Sequence, residues 1–355
     1  MSGRRSTAAR TVNDILHLAV DARDLAHDRR GIGRYARALL SRFARRDDVR
    51  LTLLVRDLFP QRFARELRAS IGAGERVEVA SRVPPRADVV WHPWNGTFFE
   101  SKVPAIATIH DVAPFAFPDP DAKRRASQQE PFRRTALSAR RILTDSTFTA
   151  TELQRYLGVD GGRVQTIALG VDPAFVPGDN AALPAALRDI TYVLYVGAHD
   201  GHKNVATLID AYRAAFGGSD CKLVFTRPNA NAPEALVLED LSNEALIAVY
   251  RSAMLVAVPS MYEGFGLPVL EAMACGAPVI ASRIASLPEV GGDAVRYVFE
   301  PTDSGAWAKA LASLAFDPKA RADLARRGPL RASAFTWDAC AETTLAVLTR
   351  HAATN

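Results

Sequence analysis

Two glutamates eight residues apart, Glu263 and Glu271, bracket a loop with two glycines in Pro259 to Ser282, PSMYEGFGLPVLEAMACGAPVIAS. Glycines remove the Cβ atoms that would hold a phosphate away from the backbone, and the N–H groups at a helix start favour an anion. The amides of Gly264, Phe265, Gly266 and Leu267 could therefore cradle a phosphate. Glu271 falls about one turn into the following helix, facing back toward the loop mouth. A carboxylate so placed suits vicinal sugar hydroxyls, as acidic residues do for ribose in nucleotide sites. For a bare GxG, an ordinary turn with surface glutamates would be the better reading; the whole phrase favours a site.

Three other places carry candidate chemistry. Lys203, in GAHDGHKN after an apolar run, could neutralise a phosphate, although lone lysines are mostly solvated. His110 and Asp111 end the run AIATIHD; a lone histidine is usually structural, and a pair at a strand end is a site in a minority of cases. Gly33, in DRRGIGRY, opens a helix; a lone GIG is a weak phosphate signal and a common helix-entry turn. His199 and His202 are spaced for a metal, but no third ligand is near, and metal is rejected.

The elements that position these groups alternate. In the first half, strands are expected at 15–23, 50–55, 77–80, 89–91, 105–109 and 142–144, with an amphipathic helix over 32–43. A basic helix is expected over 121–141, and another is capped by Ser146 or Thr147. In the second half, strands fall at 190–196, 222–226, 235–239, 254–258, 278–281 and 295–300. Helices there follow at 205–216, from Ser242, from Pro268 to Gly276, and at 286–290, 306–314, 321–327 and 337–350. Alternation of this kind makes parallel, doubly wound α/β sheets, which bind ligands beyond the carboxyl ends of their strands. His92, Trp91 and Trp94 also lie at a strand end, where packing is favoured over an acceptor groove. The Pro- and Gly-rich stretch 173–188 reads as a linker between domains at 15–172 and 189–335, and 1–14 as a disordered tail.

The chain has 355 residues, enough for two cores, and 48% hydrophobic content is ordinary for a globular protein. Cys221, Cys275 and Cys340 are scattered and odd in number, which points to reduced thiols and a cytoplasmic setting. No apolar run approaches the ~20 residues of a membrane span. Residues 1–175 hold 29 Lys and Arg against 20 Asp and Glu, whereas the remainder holds 15 against 19. A basic first half suits an anionic acceptor or lipid surface. Nucleic acid ranks last, because no aromatic-basic motif of its binding modules is present. Residues 121–141 read either as a solvated helix or as a contact with the cytoplasmic face of a membrane, where anionic headgroups contribute roughly 1 kcal/mol per nearby Lys or Arg.

The phrase E-GFGLPVL-E, with PS before it and A-CG-PV-AS after it, closely resembles the retaining glycosyltransferases of family 4. VDAR followed by GIGRY is similar to mannosyltransferase-like members. T-x-HD, G-x-x-x-x-x-K-N and G-V-D-x-x-F turns extend the likeness from Leu18 to Leu348, densely in the second half. The resemblance implies a GT-B fold: two Rossmann-like domains facing across a cleft, with residues 336–355 crossing back onto the first. It implies a donor site of Gly33, Gly197, Lys203, Arg227, Glu263, Gly264, Phe265, Gly266, Leu267 and Glu271. His110, Lys203 and Glu263 would be catalytic, and Asp111, Arg34 and Ser146 would lie toward the acceptor. Leu238 to Asn243 would border the nucleobase.

The implied reaction moves a hexose, GDP-mannose being the preferred donor over UDP-hexoses, onto a glycan or lipid-linked hydroxyl in cell-surface polysaccharide or lipopolysaccharide synthesis, without a metal or cofactor. Two departures bear on this. Ala198 stands where many members carry arginine, with Arg227 as a candidate replacement. Only about ten residues separate Thr226 from Ala235, where a helix of roughly twenty is usual for the family. These departures keep a non-catalytic nucleotide-sugar-binding protein open. An epimerase or a sugar phosphorylase would share the architecture. A dinucleotide oxidoreductase lacks its G-x-G-x-x-G after the first strand.

Overall fold

Strands of a parallel sheet are covered on both faces and so are apolar almost throughout. In the computed structural model, which describes residues 15–229 and 231–353, thirteen such strands form two sheets. The tail expected over 1–14 lies outside the described residues. Residues up to Leu169, together with those from Trp337 onward, form one unit, and Gly170–Thr336 form the other.

The first unit runs β1 (Leu16–Asp21), α1 (Gly31–Phe43), β2 (Val49–Leu54), α2 (Ala64–Ser70), β3 (Glu78–Ala80), β4 (Val89–His92) and β5 (Ala105–Ile109). It continues with α3 (Ala113–Ala116), α4 (Ala122–Ser138), β6 (Arg141–Thr144), α5 (Thr147–Leu157) and β7 (Val164–Thr166). The sheet order is β3-β2-β1-β4-β5-β6-β7, all pairs parallel. Helix α1 buries Tyr35, Ala36, Leu39, Leu40 and Phe43, the spacing of one helical face. Helix α5 is capped by Ser146, whose hydroxyl accepts from the Thr149 amide at 3.1 Å, as its sequence predicts.

The second unit runs β8 (Tyr192–Tyr195), α6 (Val205–Phe216), β9 (Lys222–Phe225), β10 (Leu236–Val237), α7 (Asn243–Ser252), β11 (Leu255–Val258) and α8 (Leu267–Ala274). Then come β12 (Val279–Ser282), α9 (Leu287–Gly291), β13 (Arg296–Val298), α10 (Ser304–Ala315) and α11 (Pro318–Ala332). Its order is β10-β9-β8-β11-β12-β13, again parallel. Trp307, Leu311, Leu208 and Leu255 meet in one buried cluster. Phe175 and Leu187, in the segment expected as a linker, are buried in this unit, and Arg251 holds the Val176 and Asp179 carbonyls at 2.7 Å. Where the unit begins and ends, Val171 and Thr336 form a parallel bridge.

The last helix, α12 (Trp337–His351), belongs to the first unit. Its Trp337 ring lies 6.2 Å from Tyr35, and Arg42 and Arg46 of α1 pair with its Asp338 and Glu342.

Two expectations are corrected. Helix α11 does not stop at Arg327 but continues through Gly328 and Pro329 to Ala332. Leu324, Gly328 and Ala332 are all buried at four-residue spacing, so packing carries the helix across the breaker. The strand expected over 235–239 shrinks to two residues, since β10 is an edge strand whose Val237 faces solvent.

Candidate active site

Strands β8 and β11 are neighbours, paired through Leu255↔Val193 and Val256↔Leu194. The chain leaves β8 toward β9 on one side and leaves β11 toward β12 on the other, which makes this the switch point of the sheet, where such sheets bind ligands. The loops that follow carry Lys203 and Glu263. Their side chains meet, Lys203 Nζ to Glu263 Oε1 at 2.8 Å, with 22% and 13% of each exposed. Ser260 Oγ donates to the same oxygen at 2.8 Å. An ammonium has three donors, so two remain for a ligand.

Local structure holds this pair. Gly201–Lys203 form one 3₁₀ turn, and Asn204 adopts a left-handed conformation before α6. Asn204 Nδ2 donates to the carbonyls of Pro259 at 3.1 Å and Pro301 at 2.6 Å, while the Met261 amide donates to His202 O at 2.8 Å. Asn204 thus ties the lysine's turn to the glutamate's loop. On the other side, Ser286 Oγ bonds the carbonyl oxygens of Glu263 at 2.8 Å and Phe265 at 2.9 Å. Gly266 has φ +106°, and a Cβ there would lie 2.7 Å from Leu287 Cδ2. Among the described residues no acceptor pairs with the Phe265 or Gly266 amides, which precede the start of α8. Gly264 and Leu267 are half-buried beside them.

Glu271 is only 2% exposed, and its Oε2 accepts from the Tyr250 hydroxyl at 3.0 Å. Buried apolar residues flank it along α8. Gly197 lies just beyond β8, its amide 3.4 Å from Thr226 Oγ1. Arg227 is exposed and lies near His199, whose pKa is lowered by burial first and by the Arg227 charge second. Burial, reinforced by Glu263 and Asp200, raises the Tyr195 hydroxyl far above its ordinary value.

In the first unit, β5 and β6 are in register at Ile109↔Thr144, so the next residues, His110 and Asp145, emerge side by side. His110 Nδ1 lies 2.7 Å from Asp145 Oδ2, and Nε2 lies 2.9 Å from the Pro93 carbonyl. Burial lowers the pKa of His110, but the Asp145 carboxylate, the Pro93 carbonyl and Asp111 outweigh it, so the net shift is upward. Tyr35 packs edge-on at 4.9 Å. Asp145 was not singled out from sequence; its place directly after a strand next to that of His110 was the available signal.

Several expected roles meet a structural account instead. Both His110 nitrogens are engaged and the residue is 6% exposed, so in this arrangement the ring presents neither nitrogen to a sugar. Asp111 Oδ1 accepts from the Ala113 amide at 2.9 Å, closing the turn into α3. Ser146 is a buried helix cap. The Cβ of any other residue at Gly33 would lie 1.7 Å from the Asp28 carbonyl oxygen, so a close backbone approach accounts for that glycine. Arg34 is half-buried on α1. The indoles of Trp91 and Trp94 are buried, donating to Thr108 Oγ1 at 3.0 Å and the Asp21 carbonyl at 2.7 Å. Among the described residues no three His, Cys, Asp or Glu side chains are grouped to hold a metal, and no helix is long and apolar enough to cross a membrane.

The chain as a whole is similar to known proteins. Residues 29–175 match the model of Glycosyltransferase Family 4, and residues 230–331 match that of Glycosyl transferases group 1. The O-antigen chain mannosyltransferase B of Escherichia coli is 30% identical over 280 residues, covering 73% of each chain. The D-inositol 3-phosphate glycosyltransferase of Saccharomonospora viridis is 32% identical over 269 residues, 66% of this chain but only 62% of that protein. The HepE protein of Anabaena, solved with UDP and glucose, superposes with a TM-score of 0.70 at 15% identity, covering 95% of this chain and 100% of that one. That likeness, with the two parallel sheets, shows the GT-B fold. The chain belongs to glycosyltransferase family 4, as a mannosyltransferase-like member.

Proposed function

We propose that this glycosyltransferase moves a hexose, mannose before glucose, from a nucleoside diphosphate donor to a glycan or lipid-linked hydroxyl, with retention at the anomeric carbon. The observation that carries the reading is the Lys203–Glu263 pair at the switch point of the second sheet. A departing nucleoside diphosphate needs its charge stabilised, and preorganised donors are usually the largest catalytic contribution. Lys203 supplies an ammonium, and the Phe265 and Gly266 amides supply uncommitted donors at a helix start, a set that needs no metal. Glu263, held by Lys203 and Ser260, would orient the sugar, and Glu271, fixed by Tyr250, would take the ribose hydroxyls.

Mannose is favoured by the E. coli relative, a mannosyltransferase by name. A UDP-hexose is the second reading, favoured by the UDP-glucose complex of the Anabaena protein. Calorimetric titration with GDP, UDP, GDP-mannose and UDP-glucose in EDTA tests both. Preferential binding of the guanosine compounds supports the first, preference for uridine overturns the donor, and binding of neither removes the transfer reading.

A further inference from the structure

The first sheet has its own switch point, between β1 and β4. Three arginines gather around one ring, two from the segments that leave the carboxyl ends of β1 and β2 and one from α4. The Arg23 guanidinium, two residues past β1, lies 3.0 Å from the centre of the Phe98 ring. Arg56, two residues past β2, lies 6.0 Å from it, and Arg134 of α4 lies 5.6 Å from it. The ring is held in place from three directions. The Phe98 amide donates to the buried His92 Nδ1 at 3.3 Å, and the Thr97 amide donates to Thr135 Oγ1 of α4 at 2.8 Å. Arg56 Nη2 bonds the Phe98 carbonyl at 2.5 Å.

Like charges gathered in this way repel, and carboxylates answer only part of them. Asp21 and Asp24 lie 3.3 and 3.5 Å from Arg23. Among the described residues no carboxylate pairs with Arg56 or Arg134, both of which are exposed. The strain is felt by Arg23, whose pKa is lowered by burial first and also by Arg56 and Arg134 against the two aspartates. Arg23 lies over the phenyl ring with its Nη2 and Nε turned to Asp21 and Asp24, so Arg56 and Arg134 are the exposed donors of the group. An anion placed between the arginines would relieve the repulsion and accept charge-assisted bonds from each.

We propose that Arg23, Arg56 and Arg134 around Phe98 form a recognition site for the phosphoryl group of an anionic acceptor. The word acceptor rests on the transfer reading; the anion site stands on its own geometry. The phosphoryl group can come from a soluble molecule or from a lipid headgroup, and the two are separable.

The test uses the full chain with saturating GDP and UDP, so that the nucleotide loop of the second unit is filled. Inorganic pyrophosphate is then titrated by calorimetry into the wild type, the Arg56→Gln/Arg134→Gln variant and Phe98→Leu. In parallel, each protein is sedimented with phosphatidylglycerol vesicles and with phosphatidylcholine vesicles. The double variant is expected to bind pyrophosphate about tenfold or more weakly, Phe98→Leu to fall between, and nucleotide affinity to stay the same in all three. Loss confined to anionic vesicles, with no pyrophosphate binding by the wild type, supports the site and assigns its phosphate to a lipid headgroup. Equal binding by wild type and double variant in both arms, or binding in neither, overturns the proposal. Absence of nucleotide binding, by contrast, counts against the transfer reading, and the arginines are then read from the difference between wild type and double variant, both substitutions lying in the first unit. Both substituted arginines are exposed, and matching thermal unfolding of the variants confirms that folding is not the cause.

Discussion

Lys203 and Glu263, sixty residues apart, join at 2.8 Å and so bridge the two loops that end β8 and β11. The glutamate is thus the lysine's counter-ion, and on the proposed reading an incoming diphosphate would share or replace it. Lys203→Ala is expected to lower kcat/KM by about 10²–10³, the usual cost of removing one donor from a developing oxyanion. The same change leaves Glu263 uncompensated beside the phosphates. Lys203→Ala/Glu263→Gln should therefore bind GDP or UDP more tightly than Lys203→Ala alone, a non-additivity read by calorimetry. Additive losses would remove the pair from the donor site.

Tyr250 reaches Glu271 from a neighbouring helix at 3.0 Å. If Glu271 holds the ribose, Tyr250→Phe should weaken nucleotide binding by a few-fold, about 1 kcal/mol, and Glu271→Ala by more. Unchanged donor affinity in Glu271→Ala would sink the ribose assignment.

The His110–Asp145 pair gives a pH signature. Because the folded pKa of His110 is raised, its contribution to stability is present below the ordinary histidine value of 6.5 and fades as pH climbs through the higher folded value. Burial raises Asp145 as well, with His110 opposing, so the two titrate as a coupled unit with the same sign. Thermal unfolding of the wild type should therefore show falling Tm on the alkaline side of pH 6.5. In Asp145→Asn the carboxylate is gone, burial dominates, and the slope should flatten or reverse. An identical slope in the two proteins would show that His110 does not carry the proton.

Gly266 sits at φ +106°, a region that side chains rarely adopt. Gly266→Ala is expected to cost roughly 1–3 kcal/mol, mainly through backbone strain, because the nearest obstruction is the movable end of Leu287. Chemical denaturation reads that loss. Donor binding should fall along with it, since the same turn aims the Phe265 and Gly266 amides.

Which parts of this were legible in the sequence follows from range. Alternating apolar runs, the Ser146 and Ser242 caps and the glycine loop before α8 are local signals, and the structure repeats each of them. The sequence places Lys203 and Glu263 each after a strand, but their contact depends on β8 and β11 being neighbours, a matter of strand order. Asp145 escaped notice because its partner lies 35 residues away and only register brings them together. Helical spacing faces Glu271 toward the loop mouth; its hydrogen bond to Tyr250 comes from another helix, which no helical period within α8 could reveal. Phe98 gathers arginines from three separate segments, of which only the basic helix over 121–141 marks itself in the sequence.

The bridge between Val171 and Thr336 has a further consequence. The second unit enters and leaves through two segments joined by that one bridge, so in chain order it is an insertion within the first, which is finished only by α12. Such a cassette has neighbouring ends. Residues 170–336 form a block that could be exchanged between relatives, and on the proposed reading such an exchange would change the nucleotide sugar and leave the acceptor as it was. Cutting the chain after Thr336 would strip α1 of its partner helix and spare the inserted sheet.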